Sequence, residues 1–194
     1  MADLSDIITS KVRIKLLELF YGNPQQMYHV RGAVREIKEE INAVRRDLSR
    51  LESAGIIKRE PRGNRVYYWL REDYPMYEDF LSMISKLTGL GATLIANRTK
   101  LGKPNFVMFS GRFARQKERK REDEVDILIV GEVVLPELAT LVRAEESRRA
   151  QEINYTVMSR EELDFRKKRR DPFILGILAA SRVMIVGDEE NLVS

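Results

Sequence analysis

Residues 111–130, GRFARQKERKREDEVDILIV, contain the side chains whose types and spacing suggest chemistry. The segment begins with Gly111, crosses a strongly basic stretch, and ends with Glu124 and Asp126 at the start of an apolar run. Residues two apart in a strand point to the same face, so the two carboxylates can share a cation. The chain has one histidine and no cysteine, which excludes disulfides and the ligand clusters of tetrahedral zinc. Any metal would therefore be held by carboxylates.

An alternation of strands and helices surrounds this segment and must position it. The pattern predicts strands at FVMF, VDILIVG, EINYTVMS and RVMIVG, and helices at PELATLVRAEESRRA, REELDFRKKRR and PFILGILAA. Ser159 and Glu162 have the spacing of a capping box at the start of the second of these helices. Alternating elements of this kind favour a small mixed sheet covered by helices. We therefore predict an α/β domain over residues 103–194.

The first part of the chain has a different pattern, in which three helices precede a β-hairpin. The helices are predicted after a capping Ser10, after His29 and over residues 41–55, and the hairpin turns at Gly63 and Asn64. This order is that of a winged helix-turn-helix domain, which we assign to residues 1–73. His29 is predicted to be structural. Residues 74–102 form a helical connector that packs either within the chain or against a second copy, and the whole chain is predicted to be α+β.

The charges of this first domain indicate what it binds. The third helix places polar side chains on the face opposite its apolar stripe, and the hairpin adds basic ones. Arg can bond bidentately to guanine edges and Asn to adenine, while a basic hairpin suits phosphates or a narrow minor groove. The predicted contacts to double-stranded DNA are Asn42, Arg45, Arg46, Ser49, Arg50, Lys58, Arg59, Arg62 and Arg65.

Residues 39–70, EEINAVRRDLSRLESAGIIKREPRGNRVYYWL, resemble the winged-helix core of ArsR-like transcriptional regulators, in particular a subgroup joined to a nucleotidyltransferase-like domain. The resemblance is most specific in NAVRRDL and GNRVYY. It implies a DNA-binding transcriptional regulator. Because a winged helix presents only one reading helix, we also expect a homodimer that pairs two half-sites and is held by the connector helix, by the second domain or by both. The cysteine-based metal sensing of some ArsR proteins is not implied, because this chain has no cysteine.

Residues 105–190 resemble the minimal nucleotidyltransferase domain of the DNA polymerase beta superfamily. Active members carry a Gly-Ser pair that cradles phosphates, an Asp-x-Asp pair that holds Mg, and a later carboxylate. In this chain Gly111 matches the glycine, but Arg112 replaces the serine, Glu124 precedes Asp126, and Asn154 stands where the later carboxylate is expected. These departures imply a degenerate site in which Arg112 binds an anion or pairs with one of the two carboxylates.

Three hypotheses about function follow. The first is a DNA-binding transcriptional regulator whose second domain serves dimerisation or binds a nucleotide or other phosphate-bearing ligand through Gly111 and Arg112, without a metal cofactor. The second is an active Mg-dependent nucleotidyltransferase that uses Glu124 and Asp126 and is targeted by its winged helix. The third is RNA binding through the basic runs at 115–121 and 166–170. We predict that the enzymatic activity has been lost.

Membrane and export signals are not expected. The longest apolar run, FILGILAA at 173–180, is far shorter than the roughly 18 to 20 residues of a membrane span. The N-terminus lacks a basic start followed by an apolar core, as a signal peptide would have. The net charge of +4 permits a polyanionic partner. A cytoplasmic location without a membrane partner is therefore predicted.

Overall fold

The computed structural model describes residues 8–194, and the chain divides into two compact units, residues 1–87 and 88–194. Ten helices and two small sheets, of three and four strands, lie in the described part of the chain, so the α+β class is confirmed. The boundary falls inside the predicted connector, whose first helix belongs to the first unit and whose second helix belongs to the second. None of the helices in residues 8–194 has the length and apolar character needed to cross a membrane.

The described residues of the first unit form four helices and a three-stranded antiparallel sheet with the order β1-β3-β2. Its elements are α1 (Lys11–Gly22), β1 (Tyr28–His29), α2 (Val30–Ile37), α3 (Ile41–Ser53), β2 (Ile57–Arg62), β3 (Arg65–Leu70) and α4 (Tyr77–Leu87). The three predicted helices and the hairpin are confirmed. The short strand β1 was not predicted, because two residues give no periodic signal.

Local hydrogen bonds explain where these helices begin. Ser10 Oγ accepts the N–H of Arg13 at 3.3 Å and caps α1, as predicted. His29 Nδ1 accepts the N–H of Gly32 at 3.1 Å, so the single histidine caps α2. The Glu40 carboxylate accepts the N–H groups of Asn42 and Ala43 and caps α3. Each cap satisfies amide donors that have no partner inside the helix.

A buried carboxylate fixes α3 against the start of α1. Asp47 is only 5% exposed and accepts hydrogen bonds from Ser10 Oγ at 2.7 Å and from Arg13 Nη2 at 2.8 Å. On the same side of α3, Val44, Leu48 and Leu51 are buried in the apolar core. The opposite face of α3 is therefore exposed to solvent.

We expect Asp47→Ala to lower the free energy of unfolding by about 2 to 3 kcal/mol, because it leaves the Arg13 guanidinium without its buried partner. The measurement is urea unfolding followed by circular dichroism. Glu36→Ala is the control, since Glu36 is exposed and has no ion pair among residues 8–194. Equal stability of the two variants would contradict a fixing role for Asp47.

The second unit is built around a four-stranded mixed sheet with the order β6-β5-β4-β7, in which only β5 and β6 are parallel. Its elements are α5 (Gly89–Ala96), β4 (Gly102–Ser110), α6 (Gly111–Ala114), β5 (Ile127–Val133), α7 (Leu135–Arg149), β6 (Tyr155–Met158), α8 (Arg160–Lys168), α9 (Pro172–Ala179), β7 (Arg182–Val186) and α10 (Glu189–Val193). Met108, Leu128 and Val130 from the central strands form a core with Leu163 and Ile174 from α8 and α9. The predicted alternation of elements and the Ser159 cap are confirmed.

The predicted placement of the acidic pair on one face of a strand is wrong. Strand β5 begins at Ile127, so Glu124 and Asp126 precede it, and Asn154 likewise precedes β6. The reason is a break in the parallel ladder. The Asp126 N–H bonds to the Asn154 carbonyl oxygen at 2.8 Å, but the Asn154 N–H turns to the Asp126 side chain at 3.0 Å.

Candidate nucleic-acid interface and candidate ligand pocket

The outward face of α3 carries the side chains that the sequence predicts to read DNA. All five of them are exposed, and they lie opposite the buried stripe of Val44, Leu48 and Leu51. They are Asn42, Arg45, Arg46, Ser49 and Arg50. The structure therefore brings the predicted helical contacts together on one solvent-facing surface, which we call the α3 face.

The two central arginines of the α3 face are available to a partner. Within the described chain, Arg45 and Arg46 have no carboxylate at ion-pair distance. Hydrogen bonds from the Asn42 and Ala43 amides lower the pKa of the Glu40 carboxyl, and the positive charges of Arg46 and Arg45 add a smaller effect. Arg50 lies 3.8 Å from Asp47 but is 67% exposed. The α3 face thus presents free guanidinium groups.

The hairpin formed by β2 and β3 carries the other four predicted contacts, all exposed. Three of them have acidic neighbours: Lys58 with Asp73 at 3.0 Å, Arg59 with Glu52 at 3.5 Å, and Arg62 with Glu60 at 3.0 Å. Hydrogen bonds from Arg71, and then from Lys58, lower the pKa of Asp73 to about 2. Arg65, beside the turn, forms no ion pair with any residue that the structure describes. Arg65 is therefore the hairpin cation that is most available.

Sequence reasoning missed two further arginines near this surface. Arg31 and Arg35 are exposed on α2. Partial burial lowers the pKa of His29, and the nearby charges of Arg65, Arg35 and Arg31 lower it further. The positive charges of the three arginines therefore act on the same side chain, which caps α2. The spacing of four residues between Arg31 and Arg35 places them on one face of the predicted helix, and this was the sequence signal that could have identified them.

The second unit contains a cavity of about 490 Å³ at the residues that suggested a metal site. Its wall is formed by the end of β4, by α6, by the segment that precedes β5, and by α9. Gly111, Arg112, Glu124 and Asp126 all line it. The structure therefore brings together four of the five residues that sequence reasoning selected, although they are far apart in the chain.

Arg112 is held by the protein itself. Its Nη2 donates to the Glu118 carbonyl oxygen at 2.6 Å, and its Nε lies 3.2 Å from Glu124 Oε2. The contact between Arg112 and Glu124 is an ion pair but not a hydrogen bond. The buried Arg112 Nε has no hydrogen-bond partner in the described chain. The predicted pairing of Arg112 with a carboxylate is therefore present in the structure.

Asp126 is a buried carboxylate, since its side chain is 7% exposed. Its Oδ2 accepts the Asn154 N–H at 3.0 Å and lies 3.7 Å from Arg119 Nη1. Burial raises the pKa of Asp126, and this effect is partly offset by the Asn154 N–H and by the charges of Arg119 and Arg149. The guanidinium groups of Arg119 and Arg149 already place near Asp126 the positive charge that a bound metal ion would supply.

Asn154 acts as a hydrogen-bond donor rather than as a third ligand. Its side-chain Nδ2 donates to the carbonyl oxygens of Glu122 at 2.6 Å and Glu124 at 3.3 Å. No group of three or more His, Asp or Glu residues in the described chain is arranged to hold a metal ion. Glu124 and Asp126 are thus a pair without a third carboxylate.

Gly111 has a structural role in the cavity wall. Its N–H donates to the Ser181 carbonyl oxygen at 2.6 Å, and a Cβ at this position would overlap the Ser181 side chain. The close approach of two backbone segments therefore requires glycine here. The Gly111 N–H is therefore not available to a phosphate.

The raised pKa of Asp126 predicts a pH dependence of stability. The folded protein binds this proton more tightly than the unfolded chain, whose value lies near 3.8. Stability should therefore fall as pH rises from about 3.8 through the higher folded pKa, and then level off. We expect the difference in unfolding free energy between wild type and Asp126→Asn, measured in urea at a series of pH values, to follow this course. A difference that rises with pH would contradict the burial effect.

Comparisons of the chain with protein-family models, with curated proteins and with solved structures find no match.

Proposed function

We propose that this protein is a DNA-binding transcriptional regulator whose first unit is a winged helix-turn-helix that docks α3 in the major groove. The α3 face is the observation that carries the proposal. It combines two guanidinium groups free of ion pairs with Asn42 and Ser49. Arginine and asparagine are the side chains that bond bidentately to guanine and adenine edges.

The order of elements supports this proposal. Helix α3 is followed directly by the hairpin, and the intervening Gly55 adopts φ of +76° at the end of the helix. In such domains a helix lies in the major groove while the hairpin contacts the flanking backbone. Arg65 is the hairpin residue best placed to meet a phosphate. Lys58, Arg59 and Arg62 can exchange their carboxylates for phosphates, since exposed ion pairs contribute only about 0 to 1 kcal/mol.

The test of this function is selection of duplexes from a randomised pool, followed by fluorescence anisotropy. We expect the selected duplex to bind at least tenfold more tightly than a shuffled duplex of the same composition at the same salt concentration. Equal affinity for both duplexes would leave only nonspecific charge attraction and would overturn the proposed function.

The second unit, in this proposal, is a degenerate nucleotidyltransferase-like domain that serves ligand binding or dimerisation. Three observations support the loss of catalysis: Arg112 is paired with Glu124, Asn154 is used as a donor, and Arg119 lies beside Asp126. Two-metal phosphoryl transfer needs carboxylates that are free to hold Mg. The alternative of an active Mg-dependent nucleotidyltransferase rests on the shared cavity of Glu124 and Asp126 alone.

We further propose that the protein binds DNA as a homodimer. A single α3 face reads one half-site, and a two-fold dimer pairs two of them. Sedimentation of the protein with and without the selected duplex should give two chains per duplex, and the selected sequence should be a paired repeat. A monomer at all concentrations, bound one-to-one to an unpaired site, would contradict this.

A further inference from the structure

The cavity of the second unit has two chemically different sides. One side is apolar and is formed by Met108 on β4 and by Phe173 and Ile177 on α9. The other side carries the carboxylates of Glu124 and Asp126. At about 490 Å³, the cavity lies within the range of small-molecule sites, roughly 300 to 1,000 Å³. A ligand of matching chemistry would be apolar at one end and polar at the other.

Each of the two carboxylates leaves one oxygen unused. On Asp126, Oδ2 takes the Asn154 N–H and faces Arg119. On Glu124, Oε2 takes the Lys120 N–H at 3.0 Å and faces Arg112. Among residues 8–194, Asp126 Oδ1 and Glu124 Oε1 accept no hydrogen bond. Neither oxygen is enclosed, so both are open to a ligand in the cavity. An ionised carboxylate can only accept hydrogen bonds, so this end of the cavity suits a ligand that donates them.

The same geometry disfavours an anion. The Gly111 N–H is bonded to Ser181. Arg112 donates through Nη2 to the Glu118 carbonyl oxygen and lies beside Glu124, which leaves its buried Nε as the one donor there without an acceptor among the described residues. Arg121 also lines the cavity, but it is 74% exposed and lies 3.3 Å from Asp123. A phosphate would therefore have to displace existing pairs while facing two carboxylates at close range.

A divalent metal ion is disfavoured for a different reason. The two carboxylates already have guanidinium groups at 3.2 Å and 3.7 Å, which repel a doubly charged ion. Asn154 adds no third oxygen, because its amide group is engaged with backbone carbonyls. A single positive charge with several N–H donors fits the two free oxygens better.

Helix α9 supplies an apolar surface that is largely uncovered. Its sequence, PFILGILA, is apolar throughout, yet only Ile174 is buried, and Phe173 and Leu175 are 43% and 44% exposed. A helix that is apolar on all sides is ordinarily covered by something else. The part of α9 that lines the cavity includes Phe173, Gly176 and Ile177.

We propose that this cavity binds a small apolar molecule that carries one protonated amine. The ammonium group lies between Asp126 Oδ1 and Glu124 Oε1, and the apolar part packs along Phe173 and Ile177 of α9. This inference rests on the part of the proposed function that makes the second unit a ligand-binding rather than a catalytic domain. It replaces a phosphate-bearing ligand with a cationic one.

The test is isothermal titration calorimetry of the full chain with three amines of different shape, namely 2-phenylethylamine, tryptamine and cyclohexylmethylamine. Indole-3-propionate, ATP and MgCl2 are titrated in parallel. We expect at least one amine to bind, and the carboxylate, ATP and Mg to bind at least tenfold more weakly or not at all. Asp126→Asn should weaken amine binding about tenfold, as expected for a charged hydrogen bond.

Two substitutions on α9 separate ligand binding from folding. Gly176→Trp should abolish amine binding, because Gly176 lines the cavity and a Cβ there meets no atom within 4 Å, so the new side chain can occupy the space. Ala179→Trp adds the same side chain at an exposed position of α9 outside the lining and should leave binding unchanged.

Binding of none of the three amines, or binding of indole-3-propionate or ATP as tightly as the best amine, would overturn the proposal. So would amine binding that survives Gly176→Trp. The duplex-binding test of the proposed function depends on the first unit, so each can fail alone. Specific DNA binding without amine binding would refute only the proposed ligand. Amine binding without specific DNA binding would refute only the proposed recognition of DNA.

Discussion

The double variant Arg45→Ala, Arg46→Ala is expected to lose at least about 2 kcal/mol of binding free energy for the selected duplex, or about thirtyfold in affinity. Each arginine can contribute about 1 to 3 kcal/mol of base discrimination through a bidentate contact. Neither has an intramolecular ion pair in the described residues that would offset the loss. Fluorescence anisotropy at fixed salt, on selected and shuffled duplexes, measures the effect.

The matched control is Arg169→Ala, Arg170→Ala, which removes two exposed positive charges from the second unit. If charge alone governs binding, both double variants weaken all duplexes similarly. If α3 contacts the bases, only the Arg45→Ala, Arg46→Ala variant loses the preference for the selected sequence. Unchanged affinity of the Arg45, Arg46 variant would contradict the assignment of α3 as the reading helix. A large loss in the Arg169, Arg170 variant, measured also with RNA, would instead favour the basic run at 166–170.

Hairpin substitutions should behave differently from those on α3. Arg65→Ala is expected to weaken the selected and shuffled duplexes alike and to reduce the salt slope by about one, as for a phosphate contact. Arg62→Ala should have a smaller effect because Arg62 is already 3.0 Å from Glu60.

We also expect the wild-type protein to have no nucleotidyltransferase activity. It should release no pyrophosphate from any of the four common nucleoside triphosphates in the presence of Mg or Mn. The Arg112 guanidinium, whose Nε lies 3.2 Å from Glu124 Oε2, places a positive charge beside the carboxylate that would have to bind Mg. The Gly111 N–H, at the start of the segment expected to contact a phosphate, is bonded to the Ser181 carbonyl oxygen. The measurement is a coupled pyrophosphate assay with inorganic pyrophosphate as the positive control.

Asp126→Ala is the matched variant for this assay, because any activity of the cavity would depend on its carboxylate. Steady Mg-dependent pyrophosphate release by the wild type that disappears in Asp126→Ala would show a working nucleotidyltransferase. The combined variant Arg112→Ser, Glu124→Asp, Asn154→Asp should still be inactive. A carboxylate at 154 would face the carbonyl oxygens of Glu122 and Glu124 and would disturb the segment that it now holds.

Most of the helices and strands were predictable because they depend on neighbouring residues. Ser10 and Ser159 cap helices through donors three positions away, and the turn at Gly63 and Asn64 sets the hairpin register so that Arg62 pairs with Arg65. The α3 face was predictable for the same reason, since the helical period alone places Arg45 and Arg46 opposite Leu48.

The contacts inside the cavity were not predictable in the same way. The Asn154 amide meets the Glu122 carbonyl oxygen across 32 positions, and Gly111 meets Ser181 across 70 positions. Such pairs are set by how the sheet and α9 pack. Sequence therefore selected Arg112, Glu124 and Asp126 correctly as neighbours but placed the carboxylates on a strand that begins only at Ile127.

The central claim, that α3 lies in the major groove of a specific site, is tested most directly by tethered cleavage from Ser49→Cys. The chain has no native cysteine, so an iron chelate attached to this position of the α3 face is the only label. We predict strand cleavage confined to a few base pairs within each selected half-site, and none above background on the shuffled duplex. Bound protein that cleaves outside the selected site, or cleaves both duplexes equally, would contradict the claim.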